Sequence, residues 1–591
     1  MSQKFILNNE QIAKNISALQ SYMKKEGLDY FYISSFDPYL NEYVPLVNCH
    51  RYYISGFDGS TAETVVPVSG KVKLYVDGRY HEQADLQVDH NLVEVRKTRP
   101  EESNTTVLMN DLKIAKANLV GYEADRTSLN FSRRLEKEFK TKPFLKSELS
   151  SVIEFGQMPA QKEIQFVEKK YRGRDTKEKL DLILKDSSQA YFLTALDGIA
   201  WVTNCRGYHL PNNSCFMARA LMTKEKIYVF VDKDCLVSAQ AKQKEVEFIN
   251  VDYKDFSRVM SELKNKLNLS EVILSPALIN SGDYLILKEC FGEKLLKEVE
   301  DAIVPFHSIK EPAEMEEMRR SFRLSDKAIF QTISWVREQL NKGVKITELD
   351  YYKQADAFYA GVGSVEQSFK TIAAVGANSS IIHFGSSSDD VVVENNHLML
   401  LDSGAYYEGG FATDTTRAFF ANPEKVQPSD KQKEVYTLVL KGLINAMTAV
   451  VKEGTRGMFV DTLARNPILR AGYDYAHGTG HGVGINVHES GARFSSISVT
   501  PIKKGTVVSI EPGIYLPGFG GVRLENIIHV IDHPSIKGML SFECLVYVGF
   551  DPSLINIDLL SKEEIDYLKV YEAECDKRGT SFGCTKVLSL K

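Results

Sequence analysis

The run Leu400-Leu401-Asp402-Ser403-Gly404-Ala405 ends an apolar strand on a carboxylate, and after Gly409-Gly410 the chain returns through Ala412-Thr413-Asp414-Thr415-Thr416-Arg417 with a second one. Val507-Val508-Ser509-Ile510-Glu511-Pro512-Gly513 repeats the pattern with Glu511, turns at Pro517-Gly518, and comes back as Val522-Arg523-Leu524-Glu525-Asn526. Apolar runs bounded by glycine and proline read as strands joined in antiparallel hairpins. Each hairpin can set its two acids about 4.5–5.5 Å apart if they face each other, or about 7–8 Å apart on a diagonal. A carboxylate inside a sheet is costly unless a cation or a donor compensates it. Any one of these acids alone is more often a solvated group, a helix cap or a salt-bridge partner. Four in two matching settings argue for cations between the oxygens, and four carboxylates suffice to bridge two divalent ions.

Histidines add to this pattern. His477-Gly478-Thr479-Gly480-His481-Gly482-Val483-Gly484 carries two imidazoles in a glycine-rich, non-helical segment, and His488-Glu489 follows, so three of the chain's 12 histidines fall close together. His383 comes after Ile381-Ile382 and reads as the inward-facing end of a strand. Helices flank these runs. Glu311-Pro312 opens one, proline being suited to a first turn, with Met315, Met318, Phe322, Ile329, Ile333, Val336 and Leu340 on one face up to Gly343. A second is expected from Asp430 to about Glu453, stopped by Gly454. With strands at His397–Asp402 and Thr506–Ile510, this region is an α+β domain.

The N-terminal half repeats itself at an offset of 160 residues. A helix with Ile12, Ile16, Leu19 and Met23 leads into Tyr30-Phe31-Tyr32-Ile33, and Leu180, Leu182, Ile183 and Leu184 lead into Tyr191-Phe192-Leu193. A helical period passing into an aromatic, β-branched run is the signature of an α/β unit. At 591 residues the chain expects several domains rather than one. Its 43 % hydrophobic and 25 % charged residues exclude extended disorder, collagen and coiled coil. A net charge of −6 without a basic block argues against nucleic acid or an anionic membrane as partner. Eight cysteines with no CxxC pair indicate reduced thiols, not a zinc ribbon or a disulfide framework. The polar start, from Met1 to Glu10, and the absence of a run of about 18–20 apolar residues make a signal peptide or a membrane span unexpected, so the default location is cytoplasmic.

Asp-Ser-Gly…Asp-x-Thr-Arg, His-Gly-Thr-Gly-His-Gly-Val-Gly, Ile-Glu-Pro-Gly-Ile-Tyr and Val-Arg-Leu-Glu-Asn stand here in that order. Together they resemble the metal-binding signature of the pita-bread metallopeptidases of family M24, and in particular the long, three-domain aminopeptidase P (X-prolyl aminopeptidase) family. The likeness covers almost the whole chain. Ser55-Gly56-Phe57-Asp58-Gly59-Ser60 and Asp77-Gly78-Arg79-Tyr80 resemble the family's first domain, and Ile199-Ala200-Trp201-Val202-Thr203-Asn204-Cys205-Arg206-Gly207 its second. The resemblance implies a fold of α/β and α+β parts: two creatinase-like N-terminal α/β domains, residues 1–160 and 161–308, followed by a C-terminal pita-bread catalytic domain, residues 309–591. It makes Asp402, Asp414, His481, Glu511 and Glu525 the ligands of two metal ions, with Asp414 and Glu525 bridging. His383, His477 and His488 correspond to substrate-orienting and proton-handling histidines, and Arg523 to an arginine that braces the site. On the substrate side it points to His383, His488, Arg79 and Tyr515.

An oxygen-rich donor set with one imidazole favours hard or borderline ions, Mn(II) first, with Co(II) or Zn(II) as alternatives. The implied reaction releases the N-terminal residue from peptides with proline in second position, through a hydroxide activated by the two metals, with Glu511 as general base. Proline after the scissile bond offers no N–H, so a site for it must accept the ring by shape, and Tyr515 and Phe384 are candidates for that apolar shelf. The resemblance further implies a homodimer, and the apolar residues from Ile555 through Leu568, Tyr571 and Cys575 suit either such a contact or packing on their own domain. Rival readings are a prolidase, which cuts only X-Pro dipeptides and carries a single N-terminal domain, and a methionine aminopeptidase, which has neither. A third is a non-catalytic pita-bread module that binds peptides or histones; it would lack the ligands and carry an acidic tail, whereas here all five stand and Thr585–Lys591 is not acidic.

Overall fold

Two six-stranded sheets of one topology form the N-terminal half of the computed structural model, which describes residues 5–99 and 102–589. The first four residues of the polar start and the last two of the tail lie outside the described residues. Across the first sheet the strands run Val93–Lys97, Val72–Val76, Glu63–Pro67, Tyr30–Ile33, Leu119–Glu123 and Lys140–Phe144. Across the second they run Val246–Asn250, Ile227–Val231, Arg219–Thr223, Gln189–Leu193, Glu271–Leu274 and Leu296–Glu298. In each, the repeated aromatic strand lies antiparallel to one neighbour and parallel to the other. The helix Asn9–Glu26 buries Ile12, Ile16, Leu19 and Met23 against the first sheet, the face its spacing sets. The copies join at equivalent points: Leu129 N–H donates to Ile279 O and Ser281 N–H to Thr127 O, each at 2.9 Å. Ser128 and Asn280, paired across this junction, each cap the helix that follows.

Chain contacts divide the molecule into two units. Unit 1 holds both sheets, and unit 2 holds Val304 onward together with Val167–Gly173 and Pro211–Ser214. In unit 2 the helix Pro312–Asn341 begins at a capping box of Glu311 and Glu314 and buries the apolar face expected of it. The helix from Asp430 is shorter than its sequence suggests, ending at Met447 rather than near Glu453. Tertiary pairing overrides helical continuation there, because β-branched Val451 exchanges backbone hydrogen bonds with Leu540 at the end of a strand. Three strands, Ile372–Val375, Leu398–Ser403 and Thr415–Phe420, make one sheet. Glu489–Phe494, Gly480–Gly482, Val507–Ile510, Asn526–Asp532 and Leu540–Cys544, in that spatial order, make another. A separate hairpin pairs Gly513–Leu516 with Gly520–Arg523.

The C-terminal helix Lys562–Arg578 buries Ile565, Leu568, Tyr571 and Cys575 in the core that also holds Val435, Val439 and Ile528, so this face packs on its own unit. Residues Pro552–Leu554 and Ile557–Leu559 before it form short 3₁₀ turns. All eight cysteines are unbridged. Among the described residues no helix is long and apolar enough to cross a membrane.

Candidate metal centre

Register sets the carboxylates. Asp402 pairs with Thr416, and Ser403 with Thr415, so Asp414 lies diagonally from Asp402 rather than facing it. In the second hairpin region Ile510 pairs with Asn526 and Gly513 with Arg523, one continuous register that leaves Glu511 opposite Glu525. Both acids stand where the strands are interrupted, Glu511 between Val507–Ile510 and Gly513–Leu516, and Glu525 between Gly520–Arg523 and Asn526–Asp532. Two backbone hydrogen bonds lock the segments that carry these acids and His481 together, Glu525 N–H to Thr416 O at 3.1 Å and Glu511 N–H to Thr479 O at 2.7 Å. The glycine-rich segment owes its composition to that approach. A Cβ at Gly480 would stand 1.9 Å from the carbonyl oxygen of Ser509, and Ser509 Oγ accepts the His481 N–H at 2.9 Å.

Ligand atoms of Asp414, His481 and Glu525 lie within 4.8 Å of one another. His481 Nε2 is 3.5 Å from Asp414 Oδ2 and 3.6 Å from Glu511 Oε1. His481 Nδ1 sits 3.1 Å from the carbonyl oxygen of Gly482, which can only accept, so the proton is on Nδ1 and the lone pair of Nε2 faces the carboxylates. Glu525 has one oxygen held by Thr416 Oγ1 at 2.8 Å, and Asp402 has one held by Arg523 Nη2 at 2.6 Å. The other oxygen of each, Oε1 and Oδ1, is buried and has no hydrogen-bond donor among the described residues. Burial, followed by the charges of Glu525, Asp402 and Glu511, pushes the Asp414 carboxyl well above the carboxylate range, with Arg523 opposing. Burial, Glu511 and Asp402 do the same to Glu525, against Thr416 and Arg523. Undonated carboxylate oxygens and an imidazole nitrogen turned toward them, within this like-charged group, fit divalent cations.

The remaining sequence candidates divide. His488 packs edge-on against His481, ring centroids 4.2 Å apart. His477 has both ring nitrogens engaged, Nδ1 2.7 Å from Gly478 O and Nε2 2.8 Å from the Tyr515 hydroxyl. Tyr515 also receives Arg523 Nη1 at 2.8 Å, so its hydroxyl links His477 to Arg523. Phe384 does not offer the expected apolar shelf: it is buried with Ile372, Ala374, Ile381 and Leu400. His383 lies in a turn beyond the 3₁₀ helix Gly376–Ser380, not at a strand end, because the strand stops at Val375 and Gly376 takes a positive φ of 55°. Arg79 belongs to unit 1, where its guanidinium bonds both oxygens of Asp77 at 2.9 and 2.8 Å.

Other supporting groups carry no sequence signal of their own. Thr416 lies inside the Asp-x-Thr-Arg run, yet its role, accepting from Arg523 Nε at 3.1 Å and donating to Glu525, appears only in three dimensions. Lys310 is buried against Glu489, the residue after His488, and donates to His307 O at 2.8 Å. Ile485 N–H reaches Glu489 Oε1 at 3.2 Å, so this ion pair steadies the loop between His481 and His488.

Fold and site together define a dinuclear-type metallopeptidase with creatinase-like N-terminal domains. The family model described as metallopeptidase family M24 matches residues 316–532, and creatinase/prolidase N-terminal domain models match 15–152 and 157–314. A probable Xaa-Pro aminopeptidase P of Sordaria macrospora is 33 % identical over 593 aligned positions, covering 95 % of each chain. A protein of the same description from Neurospora crassa is 32 % identical, covering 95 % of this chain and 85 % of its own. The crystal structure of an X-prolyl aminopeptidase from Caenorhabditis elegans, described as a cytosolic enzyme with a di-nuclear active site, superposes with a TM-score of 0.86 at 26 % identity, covering 96 % of this chain and 95 % of that one. The chain belongs to the Xaa-Pro aminopeptidase P family.

Proposed function

We propose that this chain is a metalloaminopeptidase that releases the N-terminal residue from peptides with proline in second position. The observation that carries the reading is the meeting of Asp414, His481 and Glu525 within 4.8 Å, with Glu511 and Asp402 in the same electrostatic field. These five side chains would hold two divalent ions, which when bound acidify water and polarise a peptide carbonyl. The oxygen-rich donor set favours Mn(II) over Co(II) or Zn(II).

The chain's own groups supply the rest. Glu511, with 19 % of its side chain exposed against 8 % for Asp414, is the more solvent-open of the two acids facing His481, and we assign it proton removal from water and delivery to the leaving nitrogen. His488 and His383 orient the substrate carbonyl and the residue after the scissile bond. His477, bonded through Tyr515 to Arg523, keeps that side of the site in one arrangement. The three-domain division at 160 and 308 is part of the proposal, supported by the duplicated sheets. So are a homodimer, supported by the family resemblance, and a cytoplasmic location, supported by eight unbridged cysteines.

The test is peptide cleavage. Purified protein supplied with Mn(II) should release the first residue from Arg-Pro-Pro and longer peptides and lose that activity to a chelator. Cleavage confined to X-Pro dipeptides would replace the reading with a prolidase, and binding without turnover would replace it with a non-catalytic module. Metal competition and sedimentation under the same conditions test the ion and the dimer.

A further inference from the structure

We propose that Glu348 is a positioning residue for the reaction: its carboxylate clamps the loop that carries His383 on both sides of that histidine. The inference rests on the reading of His383 as a substrate-orienting group. Glu348 stands at the start of the helix Glu348–Gly361 and is completely buried. Its Oε1 accepts from Val375 N–H at 2.9 Å, where the loop begins, and from Asn378 Nδ2 at 3.0 Å. Its Oε2 accepts from Ser388 N–H at 3.3 Å, beyond His383 in the same loop. The backbone reinforces this grip, with Glu348 N–H donating to Val391 O at 2.8 Å and Leu349 N–H to Ser388 O at 3.2 Å. His383 lies between the gripped points, in a turn closed by Phe384 N–H to Ile381 O at 3.1 Å.

Helix capping does not account for Glu348. Thr347 and Asp350 already form a complete capping box, Thr347 Oγ1 accepting from Asp350 N–H at 3.2 Å and Asp350 Oδ2 from Thr347 N–H at 2.9 Å. None of the donors that reach the Glu348 carboxylate is a cation, so its burial is stabilised by neutral hydrogen bonds alone and works against the charge, pushing its pKa up. An isosteric amide would satisfy this geometry poorly, since it would turn one N–H₂ toward groups that are themselves donors. The far side of the loop sits on the metal hairpin. Gly521 N–H donates to Ser379 Oγ at 2.7 Å, and a Cβ at Gly521 would come 2.1 Å from Ser379 O. That strand ends at Arg523, which holds Asp402. Glu348 on one side and the Gly521 seat on the other therefore fix where His383 stands relative to the ligands.

A double-mutant cycle in the full-length protein with Mn(II) tests this. Glu348→Gln should lower kcat on Arg-Pro-Pro about 10- to 100-fold while bound manganese per chain stays at the wild-type value, as expected for misplacement of a positioned group. In a His383→Ala background the same substitution should cost less than about twofold, because residues acting through one another are not additive. Undiminished multiplication of the two effects, or a Glu348→Gln enzyme indistinguishable from wild type, would overturn the clamp. Should the wild type bind manganese without turning over peptide, the functional reading fails, and the clamp is then judged by the His383 ring resonances in histidine-labelled protein. These should move in Glu348→Gln, and unchanged resonances would reject it. If Glu348→Gln does not fold, Asn378→Ala takes its place in the same cycle, since it removes a donor to the carboxylate from a half-exposed position.

Discussion

Arg523 donates from Nη2 to Asp402 Oδ2 at 2.6 Å, and the same guanidinium reaches Thr416 Oγ1 from Nε at 3.1 Å and the Tyr515 hydroxyl from Nη1 at 2.8 Å. One side chain thus orients the Asp402 carboxylate, the threonine that holds Glu525, and the tyrosine that holds His477. Burial opposes its charge, but Tyr515, Asp402 and Glu511 hold its pKa well above the usual arginine value.

Arg523→Lys keeps the charge and loses the fork, because an ammonium cannot serve three fixed acceptors in one plane. Metal affinity should fall about 10- to 100-fold, as for other groups that orient ligands. Calorimetric titration of the metal-free protein with Mn(II) reads this directly. An unchanged affinity would mean that Asp402 orients itself.

Asp414→Asn should abolish metal loading and turnover together while leaving unit 1 folded. Its effect on the metal-free protein has the opposite sign. The Asp414 pKa is raised in the fold, so the folded state binds more protons than the unfolded one, and stability is lost as pH rises through the folded pKa. At neutral pH, removing the charge should therefore raise the melting temperature of chelated protein, and the gain should vanish at a pH below the unfolded carboxylate value of about 3.9. Scanning calorimetry of wild type and variant across pH provides the check.

Glu489→Gln leaves Lys310 without its counter-charge, both side chains being no more than 3 % exposed, and should cost about 3–5 kcal/mol in denaturant unfolding. Burial raises the Glu489 pKa, but Lys310 and His307 outweigh it and hold the group at about 2. The stabilisation is therefore full above the unfolded value of about 4.3 and disappears as pH falls toward 2. Wild type and variant should converge in stability across that window, and a gap independent of pH would show that packing, not charge, sets the cost.

Gly480→Ala forces a methyl onto the Ser509 carbonyl, backbone that cannot swing aside. The strand pairing that carries His481 should open, with a loss of about 1–3 kcal/mol or more and no metal binding at micromolar Mn(II). Hydrogen exchange at Gly482 and Val508, paired in that sheet, would localise the damage.

The candidate metal centre is legible in the chain because its chemistry is local. Asp402, Asp414, Glu511 and Glu525 each end or begin an apolar strand, and the glycines around His481 mark a backbone approached closely by another. The duplicated α/β units were visible through the aromatic strands Tyr30–Ile33 and Gln189–Leu193. The end of the helix at Met447 was not, since Val451 leaves the helical path only because Leu540, distant in sequence, offers it a pairing edge. Phe384, expected at an apolar shelf, serves the core instead for a related reason. An aromatic residue near a site can serve the core, a hydrogen bond or a ligand, and the side chain alone does not decide which.

The amino-acid sequence determined which atoms can bind metal and that two α/β units precede them, because residue type and short-range period fix donor chemistry and strand or helix preference. Tertiary structure alone decided that Asp414 lies diagonal to Asp402 while Glu511 stands opposite Glu525, that Thr416 and Arg523 each claim one oxygen, of Glu525 and of Asp402, and that Glu348 grips the loop of His383. Those relations depend on hairpin register and on contacts between segments far apart in the chain, which no local preference encodes.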